Sequence, residues 1–389
     1  MKDFICRHNY LKTLFENDKS IRIADRSIQI DHFPFKETTP KAEMRTLARL
    51  VPQGTDFCAD PDNLIQENKA FNYPLFYPLG KEKHDRCILL LHGLNERNWD
   101  KYLSWAEYLC DSTGTPVLLF PIAFHMNRTP QSWIAPRNNM PWVNFRKTLH
   151  PELNNSTFAN VALSLRLSAS PLRMYTSGRE TILNLCQLIR QIREGKHPLF
   201  KAGCKVDLFA YSIGALLAQI CMLGNPKQLL TDSKVFLFCG GSIFDKMNGS
   251  AREILDQAAW DQVHNYYASY WGSEQGLNDS VIPDLRKEPL NKAFISMLRQ
   301  DILPEFRRSF FAENKERLQI VTLKKDTVIP TPGVWEALGD KESPIACELD
   351  FPFQYTHQNP FPAENRKIDT NDLNTAFDTV FTRAANFLA

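Results

Sequence analysis

Residues 206–220 read VDLFAYSIGALLAQI, and they join a strand-like run to a helix-like run through a single tight turn at Ser212. The short apolar run before the serine is typical of a buried strand, and the longer one after it of a helix. A serine on such a turn projects its hydroxyl above the sheet, and the small residues Ala210 and Gly214 leave the room that a strained turn requires. The stretch therefore predicts a projecting serine hydroxyl at the end of a buried strand.

Apolar runs and amphipathic stretches alternate around this turn, from about residue 86 onward. The runs that predict buried parallel strands cover residues 87–91, 117–121, 206–210, 235–239 and 318–323. Apolar residues at helical spacing predict helices over residues 100–112, over 177–194 and over the last twenty residues. The alternation predicts the α/β class, with a mostly parallel central sheet covered by helices on both faces.

Three segments fall outside this alternation. Residues 1–75 hold two short alternating runs and predict an N-terminal extension packed on the sheet edge. Residues 242–317 are rich in helix formers and aromatic side chains, and they predict a helical cap inserted between two strands. The remaining core would then span residues 76–241 and 318–389, with a long basic connection over residues 121–179.

The connection over residues 121–179 is too long for an ordinary loop, and it carries seven cations against one acid, Glu152. The cations are Arg128, Arg137, Arg146, Lys147, Arg166, Arg173 and Arg179. Scattered charges usually face solvent, so we expect a solvated surface here. The alternative is an anion-facing wall over the active site.

The overall composition is that of an ordinary globular chain. The 389 residues are 43% apolar and 23% charged, and 46 Lys and Arg against 44 Asp and Glu give a formal net charge of +2. Nucleic-acid binding through bulk charge is therefore not expected. No apolar stretch reaches about 18 residues, and the first twenty residues lack the apolar run of a signal peptide. We therefore expect a cytoplasmic protein without a membrane span.

Three further motifs supply the residue types that an activated serine needs. A predicted strand ends in His-Gly in residues 88–95, ILLLHGLN. Asp326 follows another predicted strand in residues 320–330, IVTLKKDTVIP. His357 comes before the last helix in residues 353–360, FQYTHQNP. A serine hydroxyl is a poor nucleophile at neutral pH, so it needs an imidazole base, and the imidazole needs a carboxylate to orient it.

Together these motifs resemble the serine-nucleophile branch of the α/β-hydrolase superfamily. The nucleophile elbow of that superfamily reads G-x-S-x-G, here AYSIG with Ala210 in place of the first glycine. Its nucleophile, acid and base also follow one another along the chain in the order found here. The resemblance implies the α/β-hydrolase fold and an oxyanion hole formed by the N–H groups of Leu94 and Ile213. Beyond the superfamily, the chain resembles an uncharacterised bacterial family of α/β-hydrolase-like proteins.

Plain structural roles compete with the chemical ones. Ser212 could be a helix N-cap and Asp326 a turn former. Asp245, which also follows a predicted strand, is the alternative acid, but the Asp-x-Val-Ile-Pro context favours Asp326. His92 is expected to be structural, and His357 alone among the nine histidines lies between the last strand and the last helix.

The sequence thus predicts a serine hydrolase that cleaves an ester or related acyl bond of a small molecule, with Ser212 as nucleophile, His357 as base and Asp326 as acid. This chemistry requires no metal and no organic cofactor. Carboxylesterase, lipase, thioesterase, peptidase and acyltransferase activities stay open, because substrate choice depends on the cap and the connection. The alternative is a catalytically silent α/β-hydrolase-fold protein that binds a ligand or partner through its cap.

Overall fold

A single mixed sheet organises the chain. The computed structural model describes residues 3–38, 62–273, 275–276 and 287–389. The strands are β1 (Ile21–Ile23), β2 (Ile28–Lys36), β3 (Ala70–Pro78), β4 (His84–Leu91), β5 (Val117–Phe120), β6 (Phe200–Tyr211), β7 (Val235–Phe238), β8 (Leu318–Leu323) and β9 (Ala346–Leu349). Within the described residues they form nine strands in the order β1-β2-β3-β5-β4-β6-β7-β8-β9. Strands β4 to β9 are parallel, whereas β1, β2 and β3 alternate in direction and β3 pairs antiparallel with β5.

Helices cover both faces of this sheet. They are α1 (Phe4–Leu14), α2 (Gln66–Lys69), α3 (Asp100–Thr113), α4 (Gln131–Ile134), α5 (Pro136–Leu149), α6 (Val161–Ala169), α7 (Leu172–Arg193), α8 (Ile213–Gly224), α9 (Gln257–His264), α10 (Pro289–Ser296), α11 (Pro304–Glu313), α12 (Thr331–Leu338) and α13 (Thr370–Leu388). A π-helical stretch, Asn265–Trp271, continues α9. Among the described residues, no helix combines the length and the apolar character that a membrane crossing needs.

Each face of the sheet buries its own apolar core, because successive side chains of a strand point to opposite faces. Leu208 and Ala210 of β6 belong to the core that includes α7 and α8. Phe209 and Tyr211 of the same strand belong to the core that includes α1, α3 and α13. Burial on both faces explains why the parallel strands read in the sequence as continuous apolar runs rather than as alternating ones.

The strand register brings the carboxyl ends of the parallel strands level with one another. Ala210 of β6 pairs with Leu91 of β4, and Phe238 of β7 pairs with both Tyr211 of β6 and Val321 of β8. The loops that follow β4, β6 and β8 therefore lie side by side along one edge, where α/β folds place their sites. This strand order, with a serine turn after the central strand β6, is the α/β-hydrolase fold that the sequence predicts.

Some features of the chain differ from the sequence predictions or lie outside the described residues. Strands β3 and β9 were not predicted, and the boundary placed at residue 75 falls inside β3, which pairs with β2 along nine residues. Residues 39–61 of the predicted extension and residues 277–286 of the predicted cap are not among the described residues.

The predicted connection and the predicted cap segment pack against each other and against the core. Residues 121–179 form α4, α5, α6 and the start of α7, and residues 242–317 include α9, α10 and α11. Helix α9 contacts α6, and α10 contacts α8, the helix that begins directly after Ser212. Both segments therefore lie next to the carboxyl edge of the sheet.

The expectation of a solvated basic surface is wrong for four of the seven cations of the connection, which are Arg128, Arg146, Arg166 and Arg173, all buried. Arg146 forms a two-pronged ion pair with Asp256, through Nε–Oδ2 and Nη2–Oδ1 distances of 2.8 and 2.6 Å. Arg128 lies 3.4 Å from a carboxylate oxygen of Glu180. Carboxylates from other segments neutralise these guanidinium groups, and this offsets the cost of removing them from water.

Candidate active site

Ser212 sits in a backbone conformation that few residues other than glycine adopt. Its φ is +58° and its ψ is −123°, between the last residue of β6 and the first residue of α8. A non-glycine residue at positive φ costs on the order of 1–3 kcal/mol, and such strain concentrates at functional sites. The Ser212 side chain makes no capping hydrogen bond to α8, so it does not act as an ordinary helix N-cap.

Close backbone packing around the turn explains the small residues beside it. A Cβ atom on Gly214 would lie 2.7 Å from the carbonyl oxygen of His92 and 2.8 Å from that of Leu91. A Cβ atom on Gly240, which follows β7, would lie 2.2 Å from the Cβ of Ala215. These approaches hold the first turn of α8 tightly against the ends of β4 and β7, and they fix the direction of the serine side chain.

Two hydrogen bonds connect Ser212 to His357 and His357 to Asp326. The Ser212 hydroxyl lies 2.7 Å from Nε2 of His357. The other ring nitrogen, Nδ1, lies 2.7 Å from Oδ2 of Asp326. All three side chains are buried, with 3–5% of each residue exposed. The structure thus brings together the three residues that the sequence selects from positions up to 145 residues apart.

The backbone around Asp326 fixes how its carboxylate is oriented. Its second oxygen, Oδ1, accepts hydrogen bonds from the N–H groups of Val328 and Ile329, at 2.8 and 2.9 Å. The run Asp-Thr-Val-Ile therefore closes into a turn that leaves Oδ2 for His357. Asp245, the alternative acid, lies in a separate short turn, Phe244–Lys246, and the described contacts include none between it and His357.

Tyr211 supports His357, and sequence reasoning missed it. Its ring stacks on the imidazole with centroids 5.5 Å apart and planes 17° apart, and its hydroxyl donates a hydrogen bond to the backbone carbonyl of His357. The only signal in the sequence was its place beside Ser212, where any residue satisfies the elbow pattern. Tyr211 therefore fixes both the ring plane and the backbone of the histidine.

Two backbone N–H groups belong to residues that line the cavity beside the serine. Leu94, in the loop after β4, and Ile213, the first residue of α8, line the same cavity as Ser212. Within the described part of the chain, no hydrogen-bond acceptor contacts either N–H group. The first N–H groups of a helix have no partner inside the helix, and they favour negative charge in front of them. The pair is thus available to a developing oxyanion.

A polar network holds the loop that carries Leu94. The N–H of Gly93 donates to the Tyr102 hydroxyl at 3.0 Å, and that hydroxyl donates to the Glu96 carboxylate at 2.8 Å. Lys101 pairs with the same carboxylate oxygen. The bond from the Gly93 N–H holds the peptide plane before Gly93. The plane after it, which carries the Leu94 N–H, is held by the Gly93 carbonyl, which accepts a hydrogen bond from Nδ1 of His92 at 2.8 Å.

Two further histidines near the site, His92 and His125, are neutral. His92 accepts a hydrogen bond from the Ile122 N–H at Nε2 (2.9 Å), and its Nδ1 donates to the Gly93 carbonyl (2.8 Å). Both nitrogens are therefore used, which agrees with the structural role expected for it. Burial lowers the pKa of His92 well below its usual value, and burial lowers the pKa of His125 to about 4.

An apolar cavity of about 110 Å³ begins at Ser212. Its walls come from α7, α8, α10 and the segment around α9, together with the loops after β4, β5 and β8. Charged side chains also reach it: Arg173 lies 3.4 Å from Asp62, which pairs with Arg166 as well. The predicted connection and the predicted cap segment both contribute to the walls, so both can influence which molecule reaches the serine.

Comparisons with known proteins give a family and a group of distant structural likenesses. No curated protein matches the chain. The model of a family described as "Family of unknown function (DUF6051)" matches residues 2–389.

Three solved structures are similar over nearly the whole chain at 10% identity. A PEG-bound, cold-adapted esterase from an Arctic intertidal metagenomic library aligns over 94% of this chain and 98% of its own, with a TM-score of 0.42. The thermophilic carboxylesterase EstE1, cloned from a metagenomic library, aligns over 98% and 94%, with a TM-score of 0.43. Carboxyl esterase 2 of the mycorrhizal fungus Tuber melanosporum aligns over 99% and 98%, with a TM-score of 0.42. Likenesses this distant are no basis for function, which the geometry of the site has to supply.

Proposed function

The chain belongs to the Family of unknown function (DUF6051), and we propose that it is a serine hydrolase that cleaves an ester or related acyl bond. The observation that carries the proposal is the pair of 2.7 Å hydrogen bonds that runs from Ser212 through both ring nitrogens of His357 to Asp326. That order of groups is what converts a serine hydroxyl into a nucleophile at neutral pH.

The acylation step uses all three side chains and both free N–H groups. Oγ of Ser212 attacks the acyl carbon of the substrate while Nε2 of His357 takes the hydroxyl proton, and Asp326 stabilises the resulting imidazolium. The carbonyl electrons move to oxygen, and the oxyanion accepts hydrogen bonds from the N–H groups of Leu94 and Ile213. Removing one such donor typically costs about 10²–10³ in kcat.

Collapse of the tetrahedral intermediate completes the first half of the cycle. The carbonyl forms again, the bond to the leaving alcohol breaks, and His357 gives the alcohol the proton that it took from Ser212. Water then attacks the acyl-enzyme with His357 as base. The acid leaves, the proton returns to Ser212, and every proton in the cycle is accounted for by this chain and one water molecule.

Two features support catalysis over a silent binding role. The first is the strained φ of +58° at Ser212, which costs stability and which a ligand-binding surface does not need. The second is the pair of N–H groups without a partner in the described chain, on two residues that line the same cavity as the hydroxyl. A reacting acyl group makes use of both.

Hydrolysis of p-nitrophenyl butanoate by Ser212→Ala, His357→Ala and the double variant tests the proposal. We expect each single variant to lose at least 10³-fold in kcat and the double variant to lose little more, because residues that act as a unit are not additive. Ser104→Ala is the matched control, since Ser104 is equally buried but lies in α3. Hydrolysis that survives in Ser212→Ala, or that Ser104→Ala reduces as strongly, would refute the proposal.

A further inference from the structure

The cavity at Ser212 follows one face of the helix that the serine begins. Ile213, Leu216, Leu217 and Ile220 all line it, at the spacing that puts side chains on a single helical face. Ile213 is adjacent to the reacting serine, and Ile220 lies two turns further along α8. The cavity is therefore elongated along the helix, away from the hydroxyl.

The other walls are mainly apolar as well, although Arg173 and Arg179 of α7 and Asn291 of α10 also line the cavity. They come from α7, from α9 with the segment before it, and from α10. The apolar side chains are Met174, Ile182, Phe244, Met247, Ile254, Leu255, Trp260, Val263, Leu290 and Phe294. A methylene group moved from water into such surroundings gains roughly fourfold in binding. The occupant of this part of the cavity is thus an uncharged hydrocarbon chain.

Helix α10 closes the cavity at its far end. Leu290 and Phe294 of α10 line the same cavity as Ile220, and α10 packs on α8. One turn beyond, a Cβ atom on Gly224 would lie 2.8 Å from a methyl carbon of Leu290, so α10 presses directly on α8 there. A chain that follows α8 from the serine must therefore end near Ile220.

The distance along α8 sets the length of that chain. The advance from Ile213 to Ile220 is about 10 Å at 1.5 Å per residue. A saturated chain with C–C bonds of about 1.5 Å and near-tetrahedral angles advances about 1.25 Å per carbon, so about eight carbons fill this length.

The chain in the cavity is the acyl part of the substrate rather than the alcohol. The leaving alcohol must lie within hydrogen-bond reach of Nε2 of His357 to receive its proton. Among the described residues that line the cavity are Leu94 and Ile213, on the oxyanion side of the serine, but not His357. The alcohol therefore departs on the other side.

On this basis, which rests on the proposed function, we propose that the substrates are esters of unbranched acids of about eight carbons, bound with the acyl chain along α8 and its terminal methyl group against Ile220, Leu290 and Phe294. Short-chain esters leave most of the apolar wall uncovered. Chains well beyond ten carbons exceed the length that α10 closes.

The test compares kcat/KM for p-nitrophenyl esters from acetate to palmitate, each below its solubility limit. We expect kcat/KM to rise roughly 10²-fold from butanoate to octanoate and to fall again by tetradecanoate. Ile220→Phe should shift the best substrate to a chain at least two carbons shorter, and Ile220→Ala to one at least two carbons longer. Opposite shifts at one position cannot come from loss of stability. Ile189→Ala is the matched control, because Ile189 is equally buried in α7 but does not line the cavity, and it should keep the wild-type optimum.

The outcomes separate this inference from the proposed function. The chain-length inference is overturned if the enzyme prefers acetate, if it prefers chains of fourteen or more carbons, or if the preferred chain length is the same in the Ile220 variants as in wild type. None of these results contradicts the serine hydrolase proposal. Absence of hydrolysis for every ester, with no reaction of Ser212 toward a small fluorophosphonate, overturns both.

Discussion

Replacing Asp326 by asparagine changes one atom of the carboxylate and leaves its shape intact. Oδ1 of Asp326 accepts two backbone N–H groups, from Val328 and Ile329. In Asp326→Asn the amide oxygen must take the place of Oδ1. An NH₂ group there would face two N–H donors and leave both buried N–H groups unpaired, at about 1–3 kcal/mol each. The NH₂ group then faces Nδ1 of His357, 2.7 Å away.

The consequence is the wrong tautomer of His357. A ring nitrogen that faces an NH₂ donor must be the unprotonated acceptor, so the ring proton moves to Nε2 and points at Ser212. The serine hydroxyl then has no base. The loss expected for such a tautomer error is about 10⁴-fold in kcat, or about 5 kcal/mol of barrier. The fold should persist, because the side chain keeps its size and two of its hydrogen bonds.

The assay is steady-state hydrolysis of p-nitrophenyl octanoate, with circular dichroism to show that each variant is folded. Asp245→Asn is the matched control, because Asp245 is the alternative acid that the sequence offers, and it should keep kcat within about twofold of wild type. If Asp326→Asn stayed within tenfold of wild type while Asp245→Asn lost activity, the assignment of the acid would be wrong.

Three further predictions concern the oxyanion loop, the serine turn and pH. Tyr102→Phe removes the acceptor for the Gly93 N–H (3.0 Å), so kcat should fall roughly tenfold at constant KM in ester hydrolysis. Gly214→Ala sets a Cβ atom 2.7 Å from the His92 carbonyl, and denaturant titration should show a free energy of unfolding lower by roughly 1–3 kcal/mol. Burial lowers the pKa of His197 to about 4. As the pH falls, the imidazole is therefore protonated in the unfolded chain before it is protonated in the folded one. The free energy of unfolding should fall by roughly 3 kcal/mol from pH 6.5 to 4, and His197→Asn should remove that share of the fall.

The parallel core of the fold was predictable because its strands leave a clear pattern in the sequence. A strand buried on both faces reads as a continuous apolar run, and the runs at 87–91, 206–210 and 318–323 all became strands. Strand β3 escaped prediction because Pro74 and Pro78 interrupt its pattern. Strand β9 escaped because it is only half-buried and has no such run.

Contacts between distant segments explain what sequence reasoning could not supply. Arg146 pairs with Asp256, 110 residues away, so its burial is invisible in the local composition that suggested a solvated surface. The candidate site was easier to predict, because Ser212, Asp326 and His357 each follow a strand of a sheet whose carboxyl ends meet at one edge. Tyr211 left no such signal, since its role depends on the placement of His357 146 residues later.

The most direct test of the central claim is covalent labelling of the purified protein with a small fluorophosphonate, followed by mass spectrometry of the modified peptide. An activated serine displaces fluoride from phosphorus, whereas an ordinary hydroxyl does not react. We predict one adduct per chain, on Ser212, that disappears in Ser212→Ala and His357→Ala and is retained in Ser104→Ala. A folded protein that forms no adduct, or one that is labelled at another serine, would contradict the claim that Ser212 is the nucleophile.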